Sequence, residues 1–200
     1  MGASLALEQP DSRAIVTLAA RDGRRVKVRH MRREDAVLLK RMFYRLSSET
    51  RYRRFFVPLD KVEEERVDLE AHRLASIDPT HERALIALVE EQGRDECIGV
   101  ARYGLLDHRR DTCEASVVIR DDYQGAGLGG QLFDLLVQVA LVSGLRHMIL
   151  LTHADNLGMI ALVKRVGLPF KGHHSAGLYE IDLMLSDALK PFFPFTSTEA

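Results

Sequence analysis

No stretch of this 200-residue sequence stays apolar for the roughly 18 residues that a membrane-spanning helix needs, so no span and no membrane partner are expected. Its opening, MGASLALEQPDSR, lacks a basic start followed by a long apolar core, and a secretory signal is not expected either. Cysteine is scarce: Cys97 and Cys113 are the only two. Two thiols do not make a disulfide framework in a chain of this size, and a reducing cytoplasm is the simpler expectation. Net charge is nearly absent. Twenty-eight Lys and Arg face 29 Asp and Glu, leaving -1, which argues against the overall basic footprint of a nucleic-acid-binding domain. The histidines are scattered, and the His173-His174 pair lacks helical ligand spacing, so no metal site is expected.

What is present is ordinary globular material, 46% hydrophobic and 28% charged, enough for one core. Residues 1–13 read as a flexible N-terminus, 14–187 as one domain and 188–200 as a C-terminal tail. The tail's KPFFPF covers the core edge or makes a dimer contact. The runs AIVTLA (14–19) and RVKVRH (25–30) flank Asp22-Gly23 as a hairpin. Helical spacing follows at Leu39, Met42, Phe43 and Leu46, then a short helix in ETRYRRFF and an exposed one over 61–74. Strands are expected at 83–91, 96–106 and 112–120, the first two joined across Gln92-Gly93. Helix, strand (147–152), helix and strand (178–185) complete the chain, with 171–178 left as a variable connection. Three consecutive strands followed by this alternation make one α/β (α+β) domain.

The chemistry concentrates in GAGLGG, residues 125–130. Glycines allow positive φ and close backbone approach, and a helix starting near Leu128 turns its free N–H groups and positive dipole end toward the loop. A diphosphate fits such a cradle; a tight turn without a ligand is the plainer alternative. The letters match G-x-G-x-x-G, but the position disfavours a dinucleotide fold. About five strands precede the glycines, Asp121-Asp122-Tyr123-Gln124 intervenes after the strand, and no acid stands about 20 residues on.

Gln124-Gly125-Ala126-Gly127-Leu128-Gly129 resembles the (Arg/Gln)-x-x-Gly-x-(Gly/Ala) signature of the GNAT superfamily of N-acetyltransferases. ASVVI upstream, NLGMIALVKRVGLPF downstream and RHMRRED (29–35) extend the resemblance over roughly 25–185. RREDAVLLKRMFYRLSSETRYRRFF (32–56) and CEASVVIRDDYQGAGLG (113–129) are similar to bacterial Pat-type protein lysine acetyltransferases. The resemblance implies a central mixed, mostly antiparallel sheet with helices on both faces. It implies acetyl-CoA as donor and a protein lysine as acceptor. A small amine or an amino-acid α-amino group is the alternative, and a non-catalytic acyl-CoA-binding regulatory module is another. Monomer and homodimer both stay open.

By that resemblance, backbone groups of Val117, Val118 and Ile119 would pair with the pantetheine arm. Gln124 would begin the loop, and the N–H groups of Gly125, Ala126, Gly127, Leu128, Gly129 and Gly130 would hold the pyrophosphate. Asn156 would help hold the cofactor, cap a helix, or do both. Glu114 takes the general-base position; a solvent-facing strand glutamate is its plainer reading. Alternation sets Glu114, Ser116 and Val118 on one face and Cys113, Ala115, Val117 and Ile119 on the other, which makes Cys113 a core residue rather than a nucleophile. The family's acid tyrosine is replaced by Val163, leaving solvent to protonate the thiolate. Arg51–Arg54 is either a solvated helix face with Tyr52, Phe55 and Phe56 tucked inward, or a rim for phosphates or an acidic protein substrate.

Overall fold

The computed structural model describes residues 16–185, so the expected terminus 1–13 and tail 188–200 lie outside the described residues. Eight strands form one sheet in the order β1-β2-β3-β4-β5-β6-β8-β7. They are β1 (Val16–Ala19), β2 (Arg25–His30), β3 (Glu82–Glu91), β4 (Arg94–Leu106), β5 (Arg109–Ile119), β6 (His147–His153), β7 (Phe170–Ser175) and β8 (Leu178–Met184). Every neighbouring pair is antiparallel except β5 with β6. The expected mixed, mostly antiparallel sheet is present.

Local chemistry accounts for the turns. Gln92 and Gly93 both carry positive φ (54° and 75°), the signature of a two-residue primed turn, and they close β3 onto β4. α1 (Ala36–Arg45) is entered through Asp35, whose carboxylate accepts from the Arg32 N–H at 2.8 Å and holds Arg29 at 2.6 Å. α2 (Ser48–Phe55) is capped by Ser47 and stopped by Phe56 in the left-handed region at φ 60°. α3 (Glu64–Ala75) begins later than expected, leaving Val62 outside it. α4 (Leu128–Val142) and α5 (Leu157–Val166) both end at positive-φ glycines, Gly144 and Gly167.

Helices cover both faces. Leu38 and Met42 of α1 and Ala71 and Ala75 of α3 pack on Ala84, Ile86 and Leu88 of β3. On the other face Leu132, Phe133 and Leu136 of α4 and Val163 of α5 pack against Ala115 and Ile119 of β5. β7 falls on the stretch expected to be a connection. Five of its six residues are exposed, so the stretch has no apolar alternation; pairing with β8 creates the strand. Across that pair the Tyr179 ring lies where a Cβ on Gly172 would collide with it.

Candidate active site

β5 and β6 are in register only from Thr112–His147 to Ala115–Leu150. Beyond Ala115, β5 runs on to Ile119 and β6 to His153, so the sheet opens into a wedge. Backbone alternation says which groups face it. Asp111 O accepts from the Arg146 N–H on the β6 side, whereas the Arg120 N–H donates to Ile98 O on β4. Odd-numbered residues of β5 therefore turn their N–H and C=O toward β6. Val117 and Ile119 do so past the last β5–β6 pair, while Val118 faces β4. The Ile119 carbonyl accepts from Gln124 Nε2 at 2.9 Å, which ties the strand end to the glycine loop.

That loop forms a cradle at the wedge's mouth. Gly125 and Gly127 sit at φ 72° and 80°. None of the six amide N–H groups from Gly125 to Gly130 donates to another described residue, and the last three form the free first turn of α4. Each glycine has its own reason. Gly129 brings α4 to within contact of Ile119 and Leu162, where a Cβ would just fit at 3.5 and 3.9 Å. Gly130 leaves room for Arg165, which pairs with Asp134 at 2.8 Å, and Gly127 lies under Arg21. Ala126 and Leu128 bury their side chains in the core, so only their backbone reaches the loop's concave side.

α2 bridges the wedge. Asp121, just after β5, accepts from the Ser47 N–H (2.9 Å) and from the hydroxyls of Ser47 (2.6 Å) and Thr50 (2.7 Å). Burial opposes the charge on Asp121, but these bonds win and hold its carboxyl below the usual range. On the β6 side the His153 ring lies between Tyr52 (4.7 Å) and Phe56 (5.0 Å). Tyr52 is thus not tucked into the core as its helical position suggests; it stays 44% exposed and reaches sideways to His153.

Beneath α2 lies a cleft of about 680 Å³ running from Gly125 to Glu114. At its far end the register sets Glu82, Gly104 and Glu114 in one row and Ala84, Arg102 and Ser116 in the next. The space above Gly104 is open. Glu114 is exposed into the cleft and makes no side-chain hydrogen bond or ion pair with a described residue. Arg102 is paired with Glu82, and Arg73 with Glu70. Arg54, in the same cleft, has no ion-pair partner among the described residues. The protein packed round it desolvates the guanidinium, and with repulsion from Arg102 this pulls it down to about 10, still cationic at neutral pH. The sequence offered Arg54 only as part of the Arg51–Arg54 run, read as a solvated face or a rim for phosphates or an acidic substrate, and it did not single out Arg102.

Asn156 caps α5 by accepting from the Met159 N–H (3.2 Å) and donates to Thr152 Oγ1 (3.0 Å), while also lining the cleft. The α5 wall there is Gly158, Met159 and Leu162, without a proton donor. Val163 is 1% exposed and belongs to the core. Cys113 is fully buried on the α4 face, and burial pushes its thiol up to about 12, so it is no nucleophile. Cys97 is likewise buried and raised to about 12.

The model of the acetyltransferase (GNAT) family matches residues 42–168. Acetyltransferase PA5475 of Pseudomonas aeruginosa is 35% identical over 146 residues, 73% of this chain and 76% of that one. The L-methionine sulfoximine/L-methionine sulfone acetyltransferase of the same organism is 37% identical over 111 residues, 53% of this chain and 63% of its own length. Among solved structures, the GNAT domain of S. lividans PAT superposes with a TM-score of 0.72 at 25% identity, covering 85% of this chain and 96% of that one.

Proposed function

Since the chain belongs to the GNAT acetyltransferase family, whose members use acetyl-CoA, we propose that it carries the acetyl group from acetyl-CoA to a primary amine presented at Glu114. The observation that carries this reading is the continuous cleft joining the unpaired amides of Gly125–Gly130, the opened edge of β5 and Glu114. The amides and the α4 N-terminus suit the donor's diphosphate. Val117 and Ile119 offer backbone groups to the pantetheine arm as a partner strand would, which moves that role from Val118 to its odd-numbered neighbours. Asn156 shapes the wall through its cap.

An amine with a pKa near 10.4 needs roughly 4–5 kcal/mol to lose its proton at pH 7. Glu114 takes that proton as the nitrogen attacks the thioester carbon. A C–N bond forms, the C–S bond breaks, and the thiolate takes a proton from the nitrogen or from water. With both thiols buried, direct attack in a ternary complex is the route. Two acceptor classes follow from different observations. The PAT domain's fold and the 32–56 resemblance favour a protein lysine. Arg54, which makes no direct ion pair with a described residue, favours a small amine that brings an anion, and the sulfoximine-acetylating relative points the same way. The arginine favours the small amine. Release of coenzyme A thiol is expected when the protein meets acetyl-CoA and a panel of amines and lysine peptides. No release with any of them overturns the proposal.

A further inference from the structure

A second cavity, of about 420 Å³, lies between α1, α2, α3 and the sheet. Its walls are largely apolar, with Leu39, Met42, Phe55 and Val100 among them. It meets the cleft at Arg54, Leu74, Arg102 and Val118, which line both. Three anchors of different chemistry therefore converge. Neither the Glu114 carboxylate nor the Arg54 guanidinium forms a direct ion pair with a described residue, and the anions whose charge reaches Arg54 are Glu114 and Glu70. The cavity beyond them offers apolar surface. Arg54 lies near enough to Glu114 to feel its charge.

A desolvated guanidinium without a direct ion pair is costly, and a ligand carboxylate would relieve that cost with a charge-assisted, two-pronged hydrogen bond. Resting on the acetyltransferase reading, we propose that the acceptor is a free α-amino acid with an apolar side chain. Its ammonium meets Glu114, its carboxylate meets Arg54, and its side chain enters the cavity between α1 and α3. These are the three substituents that diverge from one α-carbon. A lysine side chain within a protein offers no carboxylate beside its amine. A longer acyl chain on the donor would fill the cavity and leave Arg54 unpaired.

In the reaction the α-ammonium gives one proton to Glu114, and the freed nitrogen attacks the thioester carbonyl. The C–S bond then breaks, and the thiolate takes the second proton from nitrogen. The products are the N-acetyl amino acid, coenzyme A and one proton released through Glu114.

The test is initial-rate kinetics with acetyl-CoA, and in parallel with propionyl-CoA and butyryl-CoA, against matched acceptors: L-leucine, L-methionine, L-phenylalanine, glycine, leucinamide, 3-methylbutylamine (leucine without its carboxylate) and a lysine peptide. kcat/KM for at least one of the three apolar amino acids should exceed that for 3-methylbutylamine and leucinamide by about tenfold or more, the effect of one charge-assisted contact. It should also exceed glycine by about tenfold or more, since each buried methylene is worth roughly fourfold. Arg54→Gln should collapse the preference for the carboxylate through KM, and Val100→Phe should shift selection toward glycine. If Val100→Phe does not fold, the comparison with glycine on the unaltered protein decides that arm. Equal rates for 3-methylbutylamine and leucine, a lysine peptide ahead of every amino acid, or a rate that rises with acyl-CoA length overturns the inference while leaving acetyl transfer standing. No transfer to any acceptor overturns both.

Discussion

At the residue scale the proposed reaction turns on one side chain on one strand face. Glu114 and Cys113 are neighbours in sequence and opposites in space, because β5 turns one into the cleft and the other against α4. Glu114→Gln keeps the shape and removes the proposed base. Turnover should fall about 10²- to 10⁴-fold with KM for acetyl-CoA little changed. Steady-state kinetics checks this; an unchanged kcat would remove Glu114 from the role. Gly125 tests the cradle without touching the amine. It stands at φ 72° with open space where a Cβ would go, so Gly125→Ala adds strain of about 1–2 kcal/mol and no clash. The expected result is an acetyl-CoA KM raised several-fold with kcat at saturation retained. Gly125 was legible because glycine's conformational freedom is a local rule, whereas Glu114 was marked by the family resemblance, and period-two alternation set its face without telling which face lines the cleft. Arg54 was not legible as a distinct residue. Nothing within Arg51–Arg54 tells which arginine faces the cleft until α2, α3 and β4 converge on it.

Elements show the same division more sharply. Strands closed by Gln92-Gly93, the glycine-ended helices and the Asn156 cap were readable, since each carries its own stop signal. β7 was not, because its exposed FKGHHS gains strand geometry only from β8 and from the Tyr179 ring lying across Gly172. The faces of β5 were readable, but not which of its backbone groups stand free, because that depends on where β6 departs. α2 is the element with the largest non-local role. It is bonded to Asp121 on one side of the wedge and stacked on His153 on the other, and it carries Thr50, Arg53 and Arg54 over the cleft. Tyr52→Ala removes one of the two rings on His153. A stability loss of about 0.5–1.5 kcal/mol is expected, with KM rising for donor and acceptor together because one helix serves both ends. Denaturant unfolding and two-substrate kinetics measure the two effects separately. A change in only one KM would mean that α2 does not act as a unit.

Across the whole molecule, one ion network centred on the buried Arg120 ties α1 and β3 to the turn that precedes the glycine loop. Arg120 follows β5, is fully buried, and pairs with Glu91 at the end of β3 and with Asp122. Arg45 at the end of α1 reaches Glu91 at 2.5 Å, and the Tyr123 hydroxyl donates to it at 3.1 Å. Burial opposes the charge on Glu91, yet its hydrogen bonds from Arg120, Arg45 and Tyr123 outweigh that and hold it down at about 2. A carboxyl lowered on folding contributes stability above its unfolded value, near 4.5, and loses it as pH falls from there toward 2. The same residues fix the short turn from Asp121 to Tyr123 that leads into the glycine loop, so acid should loosen the proposed donor site before the sheet melts. Glu91→Gln leaves Arg120 with Asp122 alone and should cost about 2–4 kcal/mol at pH 7. That difference should shrink steadily below pH 4.5 as the unaltered protein loses the same interaction. Chemical denaturation of both proteins from pH 7 to pH 3 reads the gap directly. A gap that stays constant across that range would show that the Glu91 charge does not hold the frame together.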